Sequence, residues 1–259
     1  MSSDCQPIAT KSRRYSQSDK VFIRQEIAKL LKDGIIEPSS SPWRAQVVVT
    51  KNDNHKKRLC VDYSQTINKF THLDAYPLPR MQEVIKNVSQ YSVYSTLDLR
   101  SVYHRVELLP EEKIFTAFEA DSGLYQAKRL FFGLKNAVPC FQHIVDDLIK
   151  NNHCEATFAY LDNITICGNS KSEHDANLKH FLKVAKDNNL TFNEDKCSFS
   201  ANSIDLLGYR ISKEVIKPDP DRIKPLLELP VPHNMKSLRR IIGMFAYYAQ
   251  WIPKHADLI

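Results

Sequence analysis

The 259-residue sequence lacks any run of about 18 apolar residues, the length a helix needs to cross a bilayer. It therefore predicts no membrane span. Its opening stretch, "MSSDCQPIATKSRRYSQ", has no apolar segment long enough for a signal peptide. These two absences predict an intracellular protein, cytoplasmic or nuclear, that is neither secreted nor membrane-bound. The six cysteines include no C-x-x-C pair, which argues against a zinc site or a disulfide framework. Cys60, Cys140, Cys167 and Cys197 stand in apolar or strand-like surroundings and read as small core residues. No segment repeats.

What is present is ordinary for a globular chain: 42% hydrophobic and 25% charged residues, enough to bury a sizeable core. The net charge is +6 and the sequence pI about 8.9, just short of the basic footprint of a nucleic-acid binder. Charge alone fits such a binder and a plain excess of lysine equally well.

Residues 1–17 read as a polar tail. Ser18 is placed to cap a helix running to about Lys32, with Val21, Ile23, Ile27, Leu30 and Leu31 on its apolar side and Gly34 ending it. "AQVVVT" and "RLCVDY" read as strands around the polar tip "KNDNHKK". "DAYPLPR" leads into a short helix, Met81 to Val88, and "YSVYSTLDL" is a strand reaching Asp98. "KIFTAFEA" and "LYQAKRLFF" form a hairpin turning at Asp121-Ser122-Gly123, followed by a helix from Val138 to Ile149. In "FAYLDNITIC" two apolar runs flank Asp162-Asn163, a hairpin with that polar pair as its turn. A helix over Ser172 to Asp187 follows, then a strand pair, "SIDLLGYRIS", bending at Gly208. Prolines at 218, 220, 225, 230 and 232 mark a shift in composition near 217. Beyond it Leu238, Ile241, Ile242, Phe245 and Tyr248 recur at helical spacing within Ser237 to Trp251. The plan is α+β, with hairpins and helices interleaved.

Two acids stand at strand ends, Asp98 and Asp162, and either alone is as well explained by capping or turning the chain. Their surroundings are more specific. "STLDLRSVYHRVEL", "LFFGLKNAVPCFQ" and "FAYLDNITI" occur in that order, with "EDKCSF" and "LLGYRIS" after them. This ordered set, supported by "GIIEPSSSPW", "VDYSQTINKFTHLDAYPLPR" and "GMFAYYAQWI", resembles the reverse transcriptase domain of gypsy-class long-terminal-repeat retrotransposon Pol polyproteins, over about residues 18–259.

The resemblance implies a right-hand polymerase fold of fingers, palm and the start of a thumb or connection, with an antiparallel palm sheet backed by helices. It divides the chain into a tail (1–17), fingers and palm (18–217), and a thumb- or connection-like helical segment (218–259) that stops before RNase H. The implied activity is RNA-directed DNA synthesis, with an RNA or DNA template, a DNA primer and deoxynucleoside triphosphates as partners. Two Mg²⁺ ions are the implied cofactor, with Asp98 and Asp162 as their principal ligands. Magnesium takes hard oxygen donors, which is why carboxylates are needed there. The family carries a third aspartate where this chain has Asn163, so an acid–acid pair has become Asp162-Asn163 and impaired activity is expected. Lys196 matches a lysine near the pyrophosphate, a candidate general acid.

Around the incoming nucleotide, Tyr103 matches the bulky residue that excludes a ribose 2′-hydroxyl, though a core tyrosine explains it too. Lys51 and Arg58 flank the fingers tip and would hold the triphosphate, with plain solvation the alternative for Lys51. Phe132, Gly133 and Lys135 belong to a stretch whose glycine lets the backbone approach base or sugar. Leu207, Gly208 and Tyr209 resemble the primer-gripping hairpin, and ordinary turn packing explains each of them equally well. Departures cluster here: Phe131 replaces a proline, Val138-Pro139 stands for Pro-Ala, Val102 for a glycine and Arg105 for a glutamine. The glycine at the first hairpin tip is absent, with Asn54 nearby. Those changes leave open a different reading, a non-catalytic nucleic-acid-binding remnant or a fragment without its own role.

Overall fold

The structure, a computed structural model, describes residues 5–51, 56–100 and 102–254. The tip of the first predicted hairpin, Asn54 included, lies outside the described residues. The chain forms two compact units. One comprises Met1–Leu78 and Arg100–Leu148, the other Pro79–Leu99 and Ile149–Ile259.

The first unit opens with helix α1 (Gln17–Lys32). Its cap is Ser16, whose Oγ accepts the Asp19 N–H at 3.2 Å, and not Ser18. Ile23 and Ile27, one turn apart, are 2% and 3% exposed, while Val21, about 200° round the helix from Ile23, faces out. Five strands follow the order β1 (Ile36–Pro38), β6 (Gly123–Ala127), β5 (Phe118–Ala120), β2 (Ala45–Lys51), β3 (Lys57–Asp62). β2 and β5 run parallel and the other neighbours antiparallel. The β5–β6 turn is Asp121-Ser122, both at positive φ (44° and 63°), so Gly123 belongs to the strand. "KIFT" is a 3₁₀ turn, Lys113–Thr116, rather than strand, with Thr116 Oγ1 donating to the Lys113 carbonyl. Ile23 and Ile27 pack against Val47, Val61, Phe118 and Phe131. Trp43 is held edge-on between Phe70 and Phe115. Helix α3 (Ala137–Asn151) closes this part of the chain.

A cap contributes about 1 kcal/mol. Ser16→Ala is expected to lower unfolding stability by about that amount, read from the urea midpoint at constant slope. Ser18→Ala stays within about 0.5 kcal/mol. Equal losses would put the cap in the wrong place.

In the second unit β7 (Thr157–Tyr160), β8 (Asn163–Gly168), β4 (Val93–Asp98) and β9 (Ser198–Ala201) form an antiparallel sheet in the order β7-β8-β4-β9. Side chains alternate across it. On one face α4 (Lys171–Asp187) packs over β8 and β4, where Ser95 bonds to His174, and alternation puts Leu97, Ile164 and Ile166 on that same face. On the other, α2 (Met81–Val88) brings Val84, Ile85 and Val88 against Tyr94 and Cys167. The same cluster holds Ile204, Leu206 and Ile211 from a meander of β10 (Ser203–Leu206), β11 (Tyr209–Ser212) and β12 (Val215–Pro218).

Helices α5 (Pro220–Leu227) and α6 (Met235–Ala246) follow. The helix predicted as far as Trp251 stops at Ala246, and Ala249–Trp251 is a 3₁₀ turn. Of the cysteines read as core, Cys167 is buried while Cys60, Cys140 and Cys197 are half-buried. Cys154, which the pattern did not single out, is buried. No helix among the described residues is long and apolar enough to cross a membrane.

Candidate active site

The β7–β8 hairpin places the first candidate acid. Tyr160 pairs with Asn163, leaving Leu161-Asp162 as a two-residue turn, one position earlier than the expected Asp162-Asn163. Asn163 is drawn into the strand because it is laddered on both sides, to Tyr160 of β7 and to Asp98 of β4. Leu161 consequently sits at φ 55°, where an L side chain costs about 1–2 kcal/mol, so the turn carries strain.

Directly opposite residues of an antiparallel pair share a face, so Asp98 and Asn163 point the same way. The Leu99 N–H donates to the Asp162 carbonyl at 2.8 Å, which ties the turn to the end of β4. On the far side of β4 the Asn193 N–H donates to the Asp98 carbonyl at 2.8 Å, and Phe192 bridges Leu99. The same segment turns through Glu194–Lys196 and brings Lys196 Nζ to 3.2 Å from Asp98 Oδ2. The Asp98 side chain is 14% exposed and that of Lys196 63% exposed. The Asn163 amide nitrogen lies 3.5 Å from Asp162 Oδ1. Asp98, Asp162, Asn163 and Lys196, drawn from three separate motifs, are therefore gathered at one end of one sheet.

The donor set fits a hard divalent cation. It offers carboxylates from Asp98 and Asp162 and an amide oxygen from Asn163, and Asp98 is paired with the Lys196 ammonium, which a bound ion would displace. It is one negative charge poorer than three carboxylates. Among the described residues no group of three or more His, Cys, Asp or Glu stands together.

Leu207-Gly208 form the β10–β11 turn, with φ 52° and 87°. The Gly208 carbonyl accepts the Asp219 N–H, and Tyr209 Oη lies 2.7 Å from Tyr247 Oη. Burial first, and then that hydroxyl pair, push the Tyr209 pKa up to about 12. Trp251 packs on the Tyr209 ring at 5.6 Å and donates from Nε1 to the Ile216 carbonyl.

All six candidate nucleotide-binding residues belong to the first unit. Tyr103, 7% exposed, meets the half-exposed Phe132 edge-on at 4.6 Å. Gly133 has φ +95°, and a Cβ there would lie 2.5 Å from the Val61 carbonyl oxygen, so no other residue fits. Asn68 organises this stretch: its Nδ2 donates to the Gly133 carbonyl at 2.7 Å and its Oδ1 accepts the Lys135 N–H at 2.9 Å. Lys135 Nζ donates to the Thr71 carbonyl. Lys51 and Arg58 do not converge. The register Thr50↔Arg58 and Lys51↔Lys57 puts them on opposite faces of the hairpin, with Lys51 on the face of Val47, Val49 and Lys57 that meets α1.

Three supporting residues escaped the sequence reading: Asn68, Asn193 and the buried His174. Lone polar residues carry no periodic signal, and only the contacts reveal them. His104 is a fourth. Its Nε2 is buried with no hydrogen-bond partner among the described residues, and burial lowers its pKa.

Residues 49–211 match the family described as reverse transcriptase (RNA-dependent DNA polymerase). The retrovirus-related Pol polyprotein from transposon gypsy of Drosophila melanogaster is 32% identical over 98% of this chain, which spans 25% of that relative. The Tf2-7 polyprotein of Schizosaccharomyces pombe is 29% identical over 91% of this chain and 18% of the relative. Among solved structures, the foamy viral protease-reverse transcriptase dRH in complex with double-stranded DNA superposes with a TM-score of 0.88. It is 22% identical, over 98% of this chain and 44% of that one. The foamy viral protease-reverse transcriptase in complex with RNA/DNA hybrid gives 0.83 at 21% identity, over 94% and 33%. That likeness establishes the right-hand polymerase fold, and with the match over residues 49–211 the chain belongs to the reverse transcriptase (RNA-dependent DNA polymerase) family, alongside retrotransposon Pol polyproteins.

Proposed function

We propose that this chain extends a DNA primer on an RNA or DNA template, using deoxynucleoside triphosphates, at a rate reduced by Asn163. The observation that carries this reading is the meeting of Asp98 and Asn163 on one face of β4–β8, with Asp162 in the adjoining turn. The chain spans about a quarter of the gypsy relative, so the activity of the whole polyprotein is itself a proposal for this chain.

In the proposed reaction the primer 3′-oxygen attacks the nucleotide α-phosphorus and pyrophosphate leaves. Asp98 and Asp162 would hold two magnesium ions, which supply activation of the 3′-hydroxyl and charge neutralisation at the leaving group when bound. Asn163 would add an orienting amide oxygen without charge. Lys196 Nζ, held near Asp98, is the proton donor proposed for the departing pyrophosphate oxygen. In the first unit Arg58 is proposed to make charge-assisted phosphate contacts, Tyr103 to exclude the 2′-hydroxyl, and the 133–135 backbone to line the nucleotide. Lys51, Phe132 and Lys135 are assigned to the same nucleotide, Lys51 with the weaker support of a side chain on the α1 face. Leu207, Gly208 and Tyr209 are proposed to grip the primer. Template-dependent extension that disappears with a chelator and in Asp98→Asn is the expected assay result. Extension insensitive to both would overturn the reading.

One observation favours a second reading, a module that binds the primer–template duplex without catalysis: the missing third acid. Both readings need phosphate contacts. Affinity for an RNA–DNA hybrid is therefore expected to fall by at least about tenfold between 50 and 200 mM salt, measured by fluorescence anisotropy. Salt-insensitive binding would contradict both.

A further inference from the structure

We propose that Ser95 and His174 are positioning residues that hold Asp98 and Lys196 in register, acting through β4 and β9 from the face opposite the acids. The proposal rests on the functional reading above for its kinetic consequence and on geometry alone for its structural one.

His174 lies in the first turn of α4 and is 0% exposed. Gly168, the last residue of β8, packs so closely that a Cβ would come 2.4 Å from the His174 backbone nitrogen. The ring has one place to go. Nδ1 lies 2.9 Å from Asp175 Oδ1 and Nε2 lies 2.8 Å from Ser95 Oγ. Ser95 Oγ accepts the Ser200 N–H at 3.0 Å, and Lys171 Nζ donates to both Asp175 Oδ1 and Ser200 Oγ, at 2.6 and 2.8 Å. With the imidazole neutral, the bonds run in one direction. Ser200 N–H donates to Ser95, the Ser95 hydroxyl to His174 Nε2, and His174 Nδ1–H to Asp175, with Lys171 closing the ring. Three elements, α4, β4 and β9, are joined by it.

Ser95, also 0% exposed, lies three residues before Asp98 on the other face of β4, so it touches no reacting group. Its leverage is Ser200. Between the pairs Tyr94↔Ala201 and Thr96↔Ser198, β9 holds one residue more than β4, a bulge with Ser200 at φ 54°. A bulge leaves a backbone N–H outside the ladder, and Ser95 Oγ satisfies it. The position of this bulge fixes the register of everything just upstream: Phe192 on Leu99, Asn193 on the Asp98 carbonyl, Lys196 on the Asp98 carboxylate. Losing the bulge would slip that segment by one residue, about 3.3 Å, and turn its side chains to the other face. Lys196 would lose Asp98.

The test compares Ser95→Ala with Ser95→Thr, which restores a hydroxyl, each in the Asn163→Asp background. Ser95→Ala is expected to raise amide hydrogen exchange at Ser200 and Asn193 at least tenfold. Extension kcat per titrated active site should fall about tenfold, with the KM for nucleotide within about twofold. Ser95→Thr should recover both. A role in stability alone would lower the folded fraction and leave kcat per active site unchanged, and that result overturns the proposal. If Asn163→Asp itself shows no extension, the functional reading fails and exchange at Asn193 decides. Loss of its protection in Ser95→Ala supports the positioning role, and retained protection overturns it. Should Ser95→Ala not fold, His174→Gln, whose amide reaches Ser95, takes its place. Faster exchange at Asn193 than in the parent, though less than tenfold, is then the supporting result, and unchanged exchange the overturning one.

Discussion

Asn163→Asp is expected to raise magnesium-dependent primer extension by about two orders of magnitude or more. A unit charge at 4 Å from another contributes roughly 4 kcal/mol at an effective dielectric of 20, and each 1.36 kcal/mol felt in the transition state is about tenfold in rate. Two orders of magnitude require about 2.7 kcal/mol, roughly two-thirds of that interaction. Asp and Asn are near isosteres, and the backbone of residue 163 is already fixed by its ladder bonds to Tyr160 and Asp98, so the hairpin accepts the change. Asp98→Asn in the same protein should return extension to background, because in the proposed site the restored acid would act only through ions that Asp98 would also hold. Unfolding would be visible in both variants by circular dichroism, which separates a charge effect from a folding effect. Unchanged extension in Asn163→Asp, with hybrid binding intact, would make the altered stretch at Phe131, Val138 and Pro139 the better explanation of weak activity.

The second large effect is on stability. Gly168→Ala is expected to cost about 3 kcal/mol, because its Cβ would lie 2.4, 2.6 and 2.7 Å from the His174 N, Cα and Cβ. The first two of those atoms are backbone at the start of a capped helix, so no side chain can swing away. Only separation of α4 from β8 relieves the contact, and that opens the Phe181, Val184 and Ala185 side of the core. In a protein of this size the loss corresponds to a melting temperature lower by about 6–12 °C. A change of less than about 2 °C would show that α4 and β8 are not in the contact described.

Much of this was legible in the sequence because the informative segments are periodic. β4, β7 and β8 are short apolar runs, α2 spans the residues expected of it, and the acids at the end of β4 and in the β7–β8 turn stand in ordered motifs. What escaped has a physical reason in each case. β9, "SFSA", has an exposed first half and no alternating pattern, and β12 ends in Pro218, so neither resembles a strand until its partners are known. α5 hides among prolines: Pro220 suits a first turn, where its missing N–H is not needed, but Pro225 lies inside the helix. Turn positions slipped by one residue at Leu161 because Asn163 is claimed by two strands, a tertiary fact. Lys51 and Arg58 both flank the fingers tip in sequence, and only the register of β2–β3 separates their faces. The candidate site residues are legible as residue types in motifs. Their supports, Asn68, Asn193, Ser95 and His174, became visible only as contacts.

The central claim is that Asp98 and Asp162 hold the divalent ions of a polymerase site despite Asn163. The most direct measurement is anomalous scattering from Mn²⁺ in crystals of the chain bound to primer–template and an incoming nucleotide. The account predicts density for at least one ion within about 2.0–2.4 Å of carboxylate oxygens of both Asp98 and Asp162, with Lys196 Nζ displaced toward the phosphates. Manganese absent from these two carboxylates, with Lys196 still on Asp98 while nucleic acid is bound, would contradict it.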